Sequence, residues 1–148
     1  ASREIMSNVA PLGGVYQAGT LSGNPLATAA GLAALEHLTV EAYAALTERT
    51  TRLQEGMQAS FDAAGVAAVL PRVGPLLGIF FTDTAPHDFD SAQAAADNGV
   101  YPRFFHGMLD RGIALAPGAY EAIFPSLAHG DEEIEATIAA CADVAATL

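Results

Sequence analysis

From Val40 to about Ala64, the residues Leu46, Thr50, Leu53, Met57 and Phe61 recur at spacings of three and four. Side chains so spaced share one face of an α-helix, so the stretch predicts a long helix with a single apolar stripe. Thr39 offers an N-cap, and Glu41 puts a carboxylate in the first turn, where the helix dipole favours it. Gly65 supplies the C-terminal stop. Glu48, Arg49, Arg52 and Glu55 fall mainly off the stripe and read as a solvated face. A helix this long with one dry side must lie against another layer, so the chain has to provide a sheet or further helices.

The rest of the pattern provides both. Asn24 is a favoured N-cap and Pro25 fits a first helical turn, predicting a helix over 25–38. Its small residues Ala27, Ala29, Ala30, Gly31, Ala33 and Ala34 predict close approach of another backbone, and His37 suits the solvent-facing C-terminal end. Val66–Leu70 and Leu76–Thr82 read as strands that pair antiparallel across the turn Arg72–Pro75, with Ile113–Leu115 as a third. Asp90 with Gln93 suggests a capping box opening a helix over 91–97. A helix over 100–111 sets Phe104, Phe105, Met108 and Leu109 on one side, with Gly112 as its C-cap. Residues 117–129 show little periodicity, and irregular segments of that length are often functional. A last helix over 131–147 buries Ile134, Ile138, Cys141 and Val144, with Asp131 as its cap. Residues 1–22 read as a helical turn around Ile5-Met6 and a loop rich in Gly and Pro. The predicted fold class is α/β, in the α+β-like form of a small, largely antiparallel sheet covered on one side by helices.

Composition narrows the function. Six arginines, no lysine and 17 acidic residues give a net charge of −11, which disfavours nucleic acid and anionic membranes as partners. No apolar run reaches the roughly 18 residues a membrane span needs. The start, Ala1-Ser2-Arg3-Glu4-Ile5-Met6, has neither the basic nor the apolar region of a signal peptide, and it suits a chain that begins inside a longer protein. Cys141 has no second cysteine to pair with, which fits the cytoplasm, and its place in an apolar stripe reads as a small buried hydrophobe. Neither His106 nor His129 has a second ligand at metal spacing, so no metal site is expected. Phosphate-binding P-loops, Cys-x-x-Cys pairs and hydrolase serine motifs are absent from the sequence.

One stretch carries a chemical signal. Val15-Tyr16-Gln17-Ala18-Gly19-Thr20-Leu21-Ser22-Gly23-Asn24-Pro25-Leu26 sets a glycine-loosened loop with two hydroxyls against a helix start, a place that suits an anion. Its segment from Tyr16 to Pro25 resembles the phosphate-contacting segment of the glutamate-1-semialdehyde 2,1-aminomutases, a branch of the class III, fold-type-I, pyridoxal-phosphate-dependent aminotransferases. The resemblance continues through Arg103–Gly112, Leu115–Ala122 and Ser126–His129, nearly the whole chain.

The resemblance implies that the chain is the C-terminal part of such an enzyme. Residues 1–24 would be the residual end of the large cofactor-binding domain and 25–148 the C-terminal small domain. The cofactor would be pyridoxal 5′-phosphate, with Gly19 and Thr20 binding its phosphate across a homodimer interface, so that Thr20 faces the other subunit's cofactor. Ser22 serves either that phosphate or the local turn. Glu121 would line the substrate region, although Ile123 stands where the family usually has glycine. By their surroundings in the sequence, His129 should orient the chain at the last helix's entry, and Arg103 and Arg111 could each bind a carboxylate, with Arg111 expected to pair with helix-end carbonyls. The family's Schiff-base lysine has no counterpart in this chain, which by itself should be inactive. Two rival readings are another class III aminotransferase and a non-catalytic dimerisation or binding module. The aminotransferases commonly carry an arginine and a Pro-Pro strand before the last helix, and Ile123–His129 has neither.

Overall fold

The stripe of residues 50–61 finds its cover within residues 40–148. The computed structural model describes residues 1–148, which divide into two compact units, Ala1–Thr39 and Val40–Leu148. In the second unit, helix α3 (Val40–Ala64) buries Thr50, Leu53, Met57 and Phe61 and packs chiefly against α6 (Asp131–Ala145). Helix α6 buries Ile134, Ala140, Cys141, Val144 and Ala145, with Ile138 half-buried. A Cβ at Gly56 would collide with Ile138 Cδ1, so the missing side chain is what lets the two helices cross closely. Helix α5 (Val100–Leu109) repeats the device: a Cβ at Gly107 would lie 2.8 Å from Val144 Cγ1.

Both predicted helix stops have the expected form. Gly65 (φ +69°) and Gly112 (φ +81°) adopt the left-handed conformation. The Val66 and Ile113 amides reach back to the carbonyls of Phe61 and Met108, the six-to-one bond of a Schellman motif.

Aromatic rings fill the middle of the core. Phe61, Phe81 and Phe104 meet pairwise at 5.4–5.5 Å between centroids in edge-to-face geometry. Buried Tyr101 joins them on α5. The sequence pattern put Leu109 on this face, but it is exposed; the inward positions of α5 are Tyr101, Phe104 and Met108, at three- and four-residue spacing.

The sheet is an antiparallel hairpin, as the pattern implied, with less regular strand. Strand β1 (Arg72–Val73) pairs with β2 (Leu76–Leu77), Arg72 opposite Leu77, and the same register sets Val69 opposite Phe80. The turn is therefore only Gly74-Pro75, with Gly74 at φ +56°, and Arg72 lies in the strand rather than the turn. Leu77, Ile79 and Phe81 alternate inward, facing buried Ala68 and Leu70 across the hairpin. The third strand position is Ile123, whose amide and carbonyl exchange bonds of 2.7 and 3.2 Å with Leu77. Ile113–Leu115 makes no strand, because the outer edge of the hairpin is already taken by residue 123.

Two helix starts differ from the sequence pattern. Helix α4 spans Phe89–Ala96 and is capped by Asp88, not Asp90: Asp88 Oδ1 accepts from the Ser91 amide at 2.8 Å. The Ser91 hydroxyl, and secondarily its amide, hold the Asp88 carboxyl below the usual carboxylate range. Asp131 does not cap α6; Gly130 stands at the N-cap and its amide donates to Glu133 Oε2 at 2.7 Å. Asp131 instead bonds Arg52 at 2.5 Å, alongside a 2.8 Å bond from Arg52 to Glu135. Arg49 donates to the carbonyls of Leu127 and His129 at 2.8 and 2.9 Å. The two arginines assigned to a solvated face therefore clamp the entry to α6 onto α3.

Cys141 is fully buried, and loss of solvent pushes its thiol up to about 12, against a smaller lowering by Ser60. The folded chain should thus resist alkylation by a maleimide at pH 8 and react on addition of denaturant, read by intact mass. Because the unfolded thiol ionises first, its contribution favours folding less as pH rises above about 9, the ordinary value, toward about 12. Rapid labelling of the folded chain would show that α6 does not hold this position shut.

The first unit contains α1 (Arg3–Met6) and α2 (Pro25–Glu36). Asn24 caps α2 as predicted, its Oδ1 accepting from the Leu26 and Ala27 amides at 3.1 Å each. No residue of α2 is buried, and Leu32 and Leu35 are 61% and 66% exposed. The small-residue face expected to take a neighbouring backbone lies open in this unit.

Candidate functional site

The loop before α2 is built as a run of tight turns. The Ser22 amide bonds the Gly19 carbonyl at 3.1 Å, and the Asn24 amide bonds the Leu21 carbonyl at 3.0 Å. Asn24 takes the Leu26 and Ala27 amides, and Thr28 bonds the Asn24 carbonyl, so the helix start has no donor to spare. The open donors lie one step earlier. The amides of Gly19, Thr20 and Leu21 and the hydroxyl of Thr20 make no bond within the chain, and residues 15–23 are all exposed. A Cβ at Gly19 would meet Ser22 Oγ, a hydroxyl that makes no bond in the chain and can turn aside. A hydroxyl beside several unpaired amides is a donor set suited to a phosphate.

Glu121 belongs to the second unit, in the irregular segment between α5 and α6. It is exposed, and its amide bonds the Gly118 carbonyl at 3.1 Å, closing a turn at the loop tip. The segment is anchored on either side of it. Buried Tyr101 donates its hydroxyl to the Ala116 carbonyl at 2.7 Å, and Ile123 pairs with Leu77. Burial, and secondarily the nearby Glu121 carboxylate, push the Tyr101 phenol up. Tyr120 stacks on Phe89, ring centroids 6.1 Å apart and planes 21° apart. Neither Tyr101 nor Phe89 was singled out from the sequence; the only signal for them was an aromatic near a helix start.

The other candidates have structural surroundings. His129 Nδ1 accepts from the Ser126 amide at 2.9 Å, closing the turn that leads to α6, the role expected of it. Arg111 donates to the Gly107 carbonyl at 3.0 Å near the end of α5, also as expected. Arg103 binds no carboxylate side chain; it donates to the Thr147 and Leu148 carbonyls at 2.9 Å each, tying α5 to the chain end. His106 is exposed, edge-on to Phe105. No three His, Cys, Asp or Glu side chains converge as a metal site would require, and no helix is long and apolar enough to cross a membrane.

One unit offers an exposed loop with open amide and hydroxyl donors, and the other a helix-covered hairpin beside the irregular loop that carries Glu121. The family model described as aminotransferase class-III matches residues 1–139, and the chain belongs to that family. It is 50% identical over 99% of its length to a glutamate-1-semialdehyde 2,1-aminomutase of Psychrobacter arcticus, of which it covers 35%. It is 49% identical over 96% of its length to a protein of the same name from Neisseria meningitidis serogroup C, of which it covers 33%. The chain thus spans about a third of the length of the curated relatives it matches. Among solved structures it is similar to a glutamate-1-semialdehyde-aminomutase of Pseudomonas aeruginosa (TM-score 0.77, 24% identity, 89% of this chain and 30% of that one). It is also similar to a β-phenylalanine aminotransferase of Variovorax paradoxus (TM-score 0.72, 28% identity, 96% and 33%).

Proposed function

We propose that this chain is the C-terminal portion of a glutamate-1-semialdehyde 2,1-aminomutase, which isomerises glutamate-1-semialdehyde to 5-aminolevulinate in tetrapyrrole biosynthesis. The observation that carries the reading is 50% identity over 99% of the chain to a protein of that name. The loop at Gly19–Leu21 supports it, because its open donors suit the phosphate of pyridoxal 5′-phosphate. That cofactor, when bound, supplies the electron sink for moving an amino group within one substrate. Thr20 donates its hydroxyl to a phosphate oxygen, the neighbouring amides add further donors, and Gly19 leaves room for the approach. In this reading the enzyme is a homodimer of the cytoplasm, and Thr20 serves the cofactor of the partner subunit. Residues 1–24 form the edge of the large domain and 25–148 the small domain. Glu121 sits at the substrate side of the small domain. The chain has no lysine, so the amine that tethers the cofactor must come from elsewhere, and residues 1–148 alone are inactive.

The test is a chimera in which residues 1–148 replace the matching third of the Psychrobacter arcticus relative. It should convert glutamate-1-semialdehyde to 5-aminolevulinate with no added amino donor or acceptor. Product that appears only when a keto acid or amino acid is supplied would instead make this a two-substrate class III aminotransferase. Cofactor binding with no turnover in either assay would overturn both readings.

A further inference from the structure

Phe89 and Tyr120 are 68% and 53% exposed, yet their rings are stacked. Neither belongs to the buried core cluster, so core packing does not explain the pair. What the two rings join is informative. Tyr120 immediately precedes Glu121, at the tip of a segment whose two ends are already held by Tyr101 and Leu77. Besides the stack, that tip is restrained by the bond from the Glu121 amide to the Gly118 carbonyl and by half-buried Ala119, which packs against the core.

The other ring stands on a stiff base. Phe89 is the first residue of α4, and the residues around it are locked by a dense cap. The amides of His87 and Asp88 donate to Ser91 Oγ at 3.1 and 3.2 Å, the Ser91 amide donates to Asp88 Oδ1 at 2.8 Å, and Ser91 Oγ donates to the same oxygen at 2.6 Å. At the far end of α4, Asn98 donates to the Phe81 carbonyl at 2.6 Å, fixing the helix to the hairpin. The choice of Asp88 over Asp90 as the cap is what puts Phe89 in the first turn, beside Tyr120.

We infer that Phe89 is a positioning residue, which through its stack on Tyr120 fixes the loop tip that presents the Glu121 carboxylate. The inference rests on the proposed substrate-side role of Glu121 for its functional consequence, but not for its structural one. Aromatic pairs held this way add to the order of the groups they join, and misplacing a substrate-contacting group is felt in binding and rate.

Two measurements separate the inference from that role. In the 148-residue chain, Phe89→Ala should speed hydrogen exchange of the Glu121 amide about 10-fold while leaving that of Ile123, which is paired to Leu77, unchanged. Phe89→Tyr should restore the slow exchange and Phe89→Leu should not, since both keep apolar bulk but only one keeps the ring. In the chimera, Phe89→Ala should raise KM for glutamate-1-semialdehyde about 3- to 10-fold with kcat changed less than about 2-fold, again rescued by tyrosine. Unchanged exchange at Glu121 in Phe89→Ala would overturn the inference. Faster exchange with unaltered kinetics would uphold the positioning of the loop and overturn the substrate-side role of Glu121 on which its functional part rests.

Discussion

Phe61→Ala should lower the stability of the chain by about 3–5 kcal/mol, a large share of the 5–15 kcal/mol typical of a domain. Phe61 is fully buried, and its ring meets Phe81 and Phe104 edge-on at 5.4 and 5.5 Å. Removing it takes away contacts to the hairpin and to α5 at once, and neither element is free to collapse into the space. Phe81 is fixed by the hairpin register, and α5 is held close to α6 at Gly107. Conservative Phe61→Leu should cost much less, because most of the volume survives. Urea denaturation followed by circular dichroism reads both variants. A loss below about 1 kcal/mol for Phe61→Ala would mean that the three-ring cluster does not hold the unit together.

Thr20→Val should weaken cofactor binding by the chimera about 10- to 100-fold while leaving its melting temperature without cofactor unchanged. The exposed hydroxyl makes no bond within the chain, so its loss costs the fold nothing. Bound to a phosphate dianion it makes a charge-assisted bond, roughly twice the strength of a neutral one. Valine keeps the shape and deletes only the donor. Thr20→Ser should retain most of the affinity, which distinguishes a lost bond from a disturbed turn.

How much of this was legible in the sequence depended on the range of the interaction that decides each feature. Asn24-Pro25, Gly65 and Gly112 set helix ends through bonds to residues a few positions away, and each appears in its expected role. The stripe on α3 likewise reads directly, because helical periodicity is local. The errors lie where distant residues compete. Asp88 and Asp90 are both good caps by type, and the selection of Asp88 accompanies the stack of Phe89 on Tyr120, 31 positions along the chain. Ile113–Leu115 and Ile123 are both extended apolar segments, and only the free edge of Leu77 decides which one pairs. Arg49 and Arg52 look solvated on a helical wheel because their partners, around residues 127–135, are nearly 80 positions away.

The site follows the same division. The composition of residues 15–26 marked a loop fit for an anion, and the structure adds which donors are open. They precede the helix start, since Asn24 has already taken the first free amides of α2. In the proposed function the phosphate would therefore be held by Thr20 and its neighbours rather than by the helix dipole.

The central claim is that these donors grip a phosphoryl group, and a paired titration tests it most directly. The chimera and its Thr20→Val variant would each be titrated with pyridoxal 5′-phosphate and with pyridoxal, which lacks the phosphate. The substitution should weaken binding of the phosphorylated ligand at least about 10-fold and leave pyridoxal unaffected. Equal weakening of both ligands, or of neither, would contradict it.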